Sequence, residues 1–250
     1  MRIRTLVVVG IAAYAVFLVV TIPASFIASR IAAATMGAAE FTDVSGSAWN
    51  GSARATLNAP GGRVAFERIE WHFAPAELAA GHIAYRVIAD SPGIGVQSLV
   101  GRGLSRWIAG PTEARIDASK VPVFLPLLGA WHPEGSILVT SPGVLWNDDG
   151  KANGAALITW TDAALSLSEV RPLGKYVLEI QAEDGPVNLK VSTAKGPLTV
   201  SGRGTVTLPS HVTFSGEARG AADQAAALES LLNTLGPRRA DGARTFEFRS

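Results

Sequence analysis

The chain has 250 residues, 48% hydrophobic and 17% charged, which is enough to bury one large core or two small ones and carries no disorder signature. Its 22 basic and 21 acidic residues leave a formal charge of +1 with no concentrated basic run, so a nucleic-acid partner is disfavoured. Cysteine is absent, which excludes disulfides, thiolate chemistry and cysteine-type zinc sites.

After Met1-Arg2-Ile3-Arg4 the sequence carries no charge until Arg30, and Leu6 to Ile22 is almost wholly apolar. The uncharged stretch from Thr5 to Ser29 exceeds the roughly 20 residues that cross a hydrocarbon core as a helix. In lipid every backbone amide is bonded within its own segment, so the β-branched residues here are expected in a helix. Arg2 and Arg4 on the short leading side predict that this side stays in the cytoplasm. Residues 1–30 therefore read as a cytoplasmic stub and transmembrane anchor meeting the lipid bilayer through residues 5–29. Residues 31–250 read as a periplasmic β-rich body, placing a single-pass protein in a bacterial cell inner membrane. A cleaved signal peptide is the alternative, given the small residues around Pro23-Ala24-Ser25. Against it, the apolar run is longer than the usual core of about 7 to 15 residues, and no clean A-x-A site follows.

From Phe41 onward, period-two alternation predicts antiparallel strands with one apolar and one wet face. It appears at Ile83, Tyr85 and Val87, at Tyr176, Leu178 and Ile180, and in Val187-Asn-Leu-Lys-Val-Ser, Leu198-Thr-Val-Ser, Val206-Thr-Leu, Val212-Thr-Phe-Ser and Phe246-Glu-Phe-Arg. Turns are predicted at Ala59-Pro-Gly-Gly62, Ser91-Pro-Gly93, Ser141-Pro-Gly143, Asn147-Asp-Asp-Gly150, Glu183-Asp-Gly-Pro186 and Lys195-Gly-Pro197. Pro75 to Ala80 reads as one helical turn, and Val121 to Trp131, with Pro122 and Pro126, as a short irregular helix or buried loop. Ala221 to Leu235 places Leu228, Leu231, Leu232 and Leu235 on one helical stripe stopped by Gly236-Pro237. The expected fold is mainly β: an N-terminal transmembrane helix, a curved antiparallel sheet and one C-terminal amphipathic helix. Trp71 with Tyr85 and Trp160 with Tyr176 give the body a weak self-similarity, over about 44–110 and 135–210, which duplication and coincidence fit equally.

No catalytic, cofactor-binding or metal residue is assigned. His72, His82, His132 and His211 stand at no metal-ligand spacing, and His72 and His82 read as partly exposed strand residues. Asn147-Asp148-Asp149-Gly150 lacks the glutamate that completes a calcium loop and reads as a hairpin turn. No G-x-S-x-G occurs, and Gly101-Arg-Gly103 and Gly202-Arg-Gly204 lack the third glycine of a dinucleotide fingerprint. The six tryptophans, Trp49, Trp71, Trp107, Trp131, Trp146 and Trp160, read as core fillers bonding a backbone carbonyl, with a groove lining as the other use.

Several segments resemble the type II secretion system protein N family. They are the basic start and single apolar segment, Val44-Ser-Gly-Ser-Ala-Trp-Asn-Gly-Ser-Ala53, and Ile69-Glu-Trp-His-Phe-Ala-Pro with Leu78 and Gly81. Leu157-Ile-Thr-Trp-Thr-Asp-Ala163 with Pro172-Leu-Gly-Lys-Tyr176 is similar to that family's second tryptophan strand. Leu231-Leu-Asn-Thr-Leu-Gly-Pro237, Asp241-Gly242 and Phe246-x-Phe248 fit its closing helix, turn and strand. The Ala-rich stretches 31–39 and 218–228 and the prolines of 121–126 depart from it.

The resemblance implies an accessory, non-catalytic scaffold for export of folded proteins across the outer membrane. Its expected partners are other inner-membrane subunits and the secretin, which an exposed sheet edge would recruit as a template for strand addition. The rival reading is a membrane-anchored lipid-binding or lipid-transfer protein, for which Ile83, Tyr85, Leu178, Ile180, Leu189 and Val191 should line an open apolar trough rather than a closed core. A second rival, an envelope hydrolase, needs two carboxylates converging in a cleft.

Overall fold

The computed structural model describes residues 2–207, 211–240 and 242–249, with only the backbone for 2–4 and 12. Leu208, the end of the Val206-Thr-Leu run, and Asp241 of the closing turn lie outside the described residues, as does Met1.

The apolar N-terminal segment forms helix α1 (Arg2–Val20), and every described side chain from Thr5 to Val20 is exposed. Among the described residues no helix is long and apolar enough to cross a membrane. The uncharged stretch expected to run as one rod to Ser29 is divided in two. Pro23, at φ −72° and ψ 147°, is extended and opens a second helix, α2 (Ala24–Ala34). Proline disfavours helical geometry at the residue before it, which ends α1 ahead of Ile22. Ala24 and Ala28 of α2 are buried against the sheet, so residues 24–29 belong to the body.

Among the described residues the body is one thirteen-stranded antiparallel sheet in which every strand pairs with its sequence neighbours and the two edges do not meet. In its first half β1 (Ala39–Gly46), β2 (Asn50–Ala59), β3 (Gly62–Phe73), β4 (Ile83–Ser91), β5 (Ile94–Arg102) and β6 (Arg106–Asp117) follow one another. A short helix α3 (Val121–Phe124), between 3₁₀ turns at Ala118–Lys120 and Pro126–Trp131, leads into the second half. There lie β7 (Glu134–Asn147), β8 (Ala152–Ala164), β9 (Gly174–Gly185), β10 (Val187–Lys195), β11 (Leu198–Thr207) and β12 (His211–Gly220). Helix α4 (Ala225–Leu235) and the edge strand β13 (Arg244–Arg249) close the chain.

Most of the proline and glycine turns fall between strands as their chemistry requires, although Glu183-Asp184-Gly185 are the last residues of β9. Ser141-Pro-Gly143 lies inside β7, where the register with β8 shifts between Thr140 and Gly143. The tripeptide makes a bulge instead of a turn, because Pro142 cannot donate to the ladder and Gly143 accepts a φ of 152°. Further register shifts coincide with Asp43 and Asp162, both in left-handed backbone at φ 51° and 52°. Aspartate tolerates that conformation better than most residues, and such bulges bend a sheet.

A meander puts alternate turns at opposite ends of the sheet, and the two ends differ. One end receives the helices. There α3 covers Val64, Phe66 and Ile94 through Val123, and α4 buries Leu228, Leu231 and Leu232 against Leu165, Leu173, Leu198 and Ala218. The predicted stripe of α4 is the one buried, although the helix begins at Ala225 rather than Ala221. The opposite end holds the β1–β2, β5–β6 and β7–β8 turns and the junction with α1.

An apolar trough as the candidate functional site

Alternation along each strand sorts side chains into one polar and one apolar face, and the register aligns the apolar positions into rows. One row runs from Ile158 to Leu178, then Val191, Gly202, Gly216 and Phe246, crossing β8 to β13. The glycines of this row make room for aromatic rings. A β-carbon at Gly202 would stand 2.7 Å from Cζ of Phe214, so the ring lies against bare backbone, and Phe214 stacks on Phe246 with centroids 6.0 Å apart.

Between this row and α4 lies a cavity of about 430 Å³, lined by Ile158, Trp160, Tyr176, Leu178, Val191 and Leu231 among other apolar residues. That is within the roughly 300–1,000 Å³ of ordinary ligand pockets. Two of its polar groups are bonded to backbone. Trp160 Nε1 donates to the Glu134 carbonyl at 2.9 Å, and the Tyr176 hydroxyl donates to the Leu198 carbonyl at 2.9 Å. Burial raises the Tyr176 phenol well above its ordinary pKa, and Tyr85 moves the same way for the same reason. The lining therefore stays neutral at physiological pH and offers apolar contact alone.

Of the six residues that tested trough against closed core, none is buried: Ile83 is exposed, and Tyr85, Leu178, Ile180, Leu189 and Val191 are half-buried. The face is an open trough. Leu178 and Val191 line the cavity, and the pair Ile180 and Leu189 continues the same face toward the α1 end. Trp131, Leu165, Leu173 and Leu231, also in the lining, come from connections and α4, where strand periodicity gives no signal.

The tryptophans correct their expected role in part. Trp49, Trp71 and Trp160 do bond backbone carbonyls, of Val19, Ser47 and Glu134. None of the six is buried, however, and Trp107 and Trp146 are exposed. Trp131 and Trp160 pack against the core under α4, and Trp107 and Trp146 edge the apolar face.

The polar face carries a wider depression, about 680 Å³, lined in part by Glu179, Lys190, Arg203, Glu247 and Arg249. Glu179 is ion-paired with Lys190 at 3.3 Å, and Glu247 stands four strands away on β13. Asn147-Asp148-Asp149-Gly150 forms the expected hairpin turn, with the Gly150 amide donating to the Asn147 carbonyl at 3.0 Å. His72 is exposed beside Asn50 Oδ1 at 3.3 Å, and His82 is half-buried with Nδ1 at 3.7 Å from Glu77, outside hydrogen-bond reach. Among the described residues no group of three or more histidines and carboxylates is gathered as a metal site would need.

A single open antiparallel sheet, apolar on one face and closed by helices at one end, defines a β-sheet protein built around an apolar trough. The chain belongs to the family described as type II secretion system (T2SS), protein N, whose family model matches residues 38–247, from the threshold of β1 into β13. It is thus an accessory component of the type II secretion system, a membership that implies interaction with other components of that system. Searches of curated proteins and of solved structures returned no significant match.

Proposed function

We propose that the chain is a non-catalytic scaffold subunit of the type II secretion system, tethered in the inner membrane by α1 with its β-body in the periplasm. The observation that carries the scaffold role is the open sheet. Edge strand β13 pairs with β12 on one side and, beyond the bridge from Arg244 to Arg238 at its start, with no other strand among the described residues, so the backbone groups of its later residues are a template for a strand from another subunit. The anchor draws its support from α1. From Thr5 to Val20 it carries no charge and every described side chain is exposed, an apolar surface that needs a non-aqueous cover. Deleting the gene should strand a secretion substrate in the periplasm while general export into that compartment continues. Normal release of the substrate would refute the role.

The neutral cavity favours a second reading, in which the trough shelters an acyl chain while the protein serves the secretion machine. It has no charged group with which to select a polar ligand, and the open face leads away from it along β9 and β10. Native mass spectrometry of the purified full chain should then show bound phospholipid that a Leu178→Glu variant loses. Apo protein in both samples would leave the scaffold role alone.

A further inference from the structure

We infer that the strand ends nearest α1 form a second membrane-contact site, an apolar rim seated in the interface of a phospholipid bilayer. This rests on the reading of α1 as an anchor and adds a surface that the anchor alone does not require. The rim is contiguous in register: Ile83 on β4 pairs with Arg102 on β5, Arg102 with Trp107 on β6, and Trp107 with Trp146 on β7. Its apolar members face outward to an extent unusual for such large side chains. Ile83 is 55% exposed, Trp107 44% and Trp146 37%, while Leu104 at the tip of the β5–β6 turn is entirely exposed. Contiguous exposed apolar surface on a folded domain marks a contact surface.

Position selects lipid as the occupant. The β1–β2 turn lies at this same end of the sheet and is bonded to α1 and the linker after it. The Ala48 amide donates to the Ile22 carbonyl at 2.8 Å, and Trp49 Nε1 donates to the Val19 carbonyl at 2.9 Å. The body is therefore held directly at the end of the apolar helix. The rim begins at β4 and β5, two to three strand spacings from β2, or roughly 10–15 Å. A surface that near the end of a membrane helix reaches the headgroup layer.

The rim chemistry fits that layer. Trp107 and Trp146 stack with centroids 6.3 Å apart, and the Arg102 guanidinium lies 4.5 Å over the Trp107 ring while pairing with Asp148 at 3.1 Å. Indoles prefer the boundary between acyl chains and headgroups, and a guanidinium beside them meets lipid phosphates. Seated there, the rim turns the open end of the trough toward lipid.

Depth-dependent quenching of tryptophan fluorescence tests this on the full chain reconstituted into phosphatidylethanolamine–phosphatidylglycerol vesicles doped with bromine-labelled phosphatidylcholine. Of the four indoles at this end, a Trp107→Phe/Trp146→Phe variant keeps Trp49 and Trp71, whose indole donates to Ser47 of the β1–β2 turn, so its quenching should fall roughly twofold. Leu104→Asp, at a fully exposed position where folding is not at stake, should lower quenching of the wild-type indoles by lifting the rim. Unchanged quenching in both variants, with the protein still floating with the vesicles, would overturn the rim and leave it free for a protein partner. Wild-type protein that fails to float, or that alkaline carbonate extracts, would overturn the anchor reading and this proposal with it.

Discussion

Trp49 Nε1 donates to the Val19 carbonyl at 2.9 Å, so a side chain of the β1–β2 turn closes the last turn of α1. The final four carbonyls of a helix have no partner within it, and here one is satisfied by the body the helix carries. The indole also packs edge-on against Phe73, with centroids 5.0 Å apart, and that ring touches Tyr85. Helix end, first turn and apolar face are thus joined in one unit.

Trp49→Phe keeps the ring contact and removes the donor. It should cost about 1 kcal/mol, the usual net value of one hydrogen bond. Amide exchange in the full chain in micelles would speed up at residues 47–50 and 20–22 and remain unchanged in α4. Undiminished protection at the junction would show that the bond does not hold it.

Leu231 is buried at the centre of the α4 contact and also lines the cavity. Leu231→Ala removes packing on both sides and should destabilise the body by about 2–5 kcal/mol. Urea denaturation of the detergent-solubilised chain measures this as a lower midpoint at constant slope. A cost below that range would mean the trough relaxes to fill the space.

At Gly202 the Phe214 ring leaves no room for a side chain. Gly202→Val should cost about 1–3 kcal/mol by overpacking. Adding Phe214→Ala should recover part of that loss, because the second change removes the ring the valine strikes. Strict additivity of the two substitutions in thermal melts would count against a shared cause.

Asp117 accepts the Ser119 amide at 3.0 Å at the start of the 3₁₀ turn after β6, and this hydrogen bond holds its carboxyl below the ordinary aspartate pKa. The folded value being the lower one, its contribution is complete above the unfolded value near 3.9 and is lost as pH falls through the folded value. Asp117→Ala should therefore cost about 1 kcal/mol at neutral pH. The gap between the two proteins should narrow only below about pH 4. A gap that stays constant down to strong acid would exclude the carboxylate as its source.

The strands of the second half were legible because Val187-Asn-Leu-Lys-Val-Ser and Val212-Thr-Phe-Ser alternate residue by residue between flanking turn formers. The α4 stripe was legible for a similar reason, since Leu228, Leu231 and Leu232 meet at helical spacing whatever they pack against. Ser141-Pro-Gly143 misled because the same dipeptide chemistry serves a turn or a bulge, and only the ladder to β8 on the far side distinguishes them. The break at Pro23 was local and readable. The burial of Ala24 and Ala28 behind it was not, because it depends on the β1–β2 hairpin folding back along α2.

By itself the sequence determined the local elements of this protein: an apolar leading helix without charge from Thr5 on, alternating strands, the turns between them and the resemblance to a secretion family. These follow from backbone sterics and side-chain period within about ten residues. The tertiary structure alone decided that all thirteen strands join one unclosed sheet, that Leu178 and Val191 border a cavity while Ile83 stands exposed at the rim, and that the β1–β2 turn is fastened to α1. Ile83 and Leu178 sit in the same alternating pattern. Their environments differ because α4 and the 126–131 turn arrive at one end of the sheet and not at the other, and coverage by distant segments leaves no mark on the pattern of a single strand.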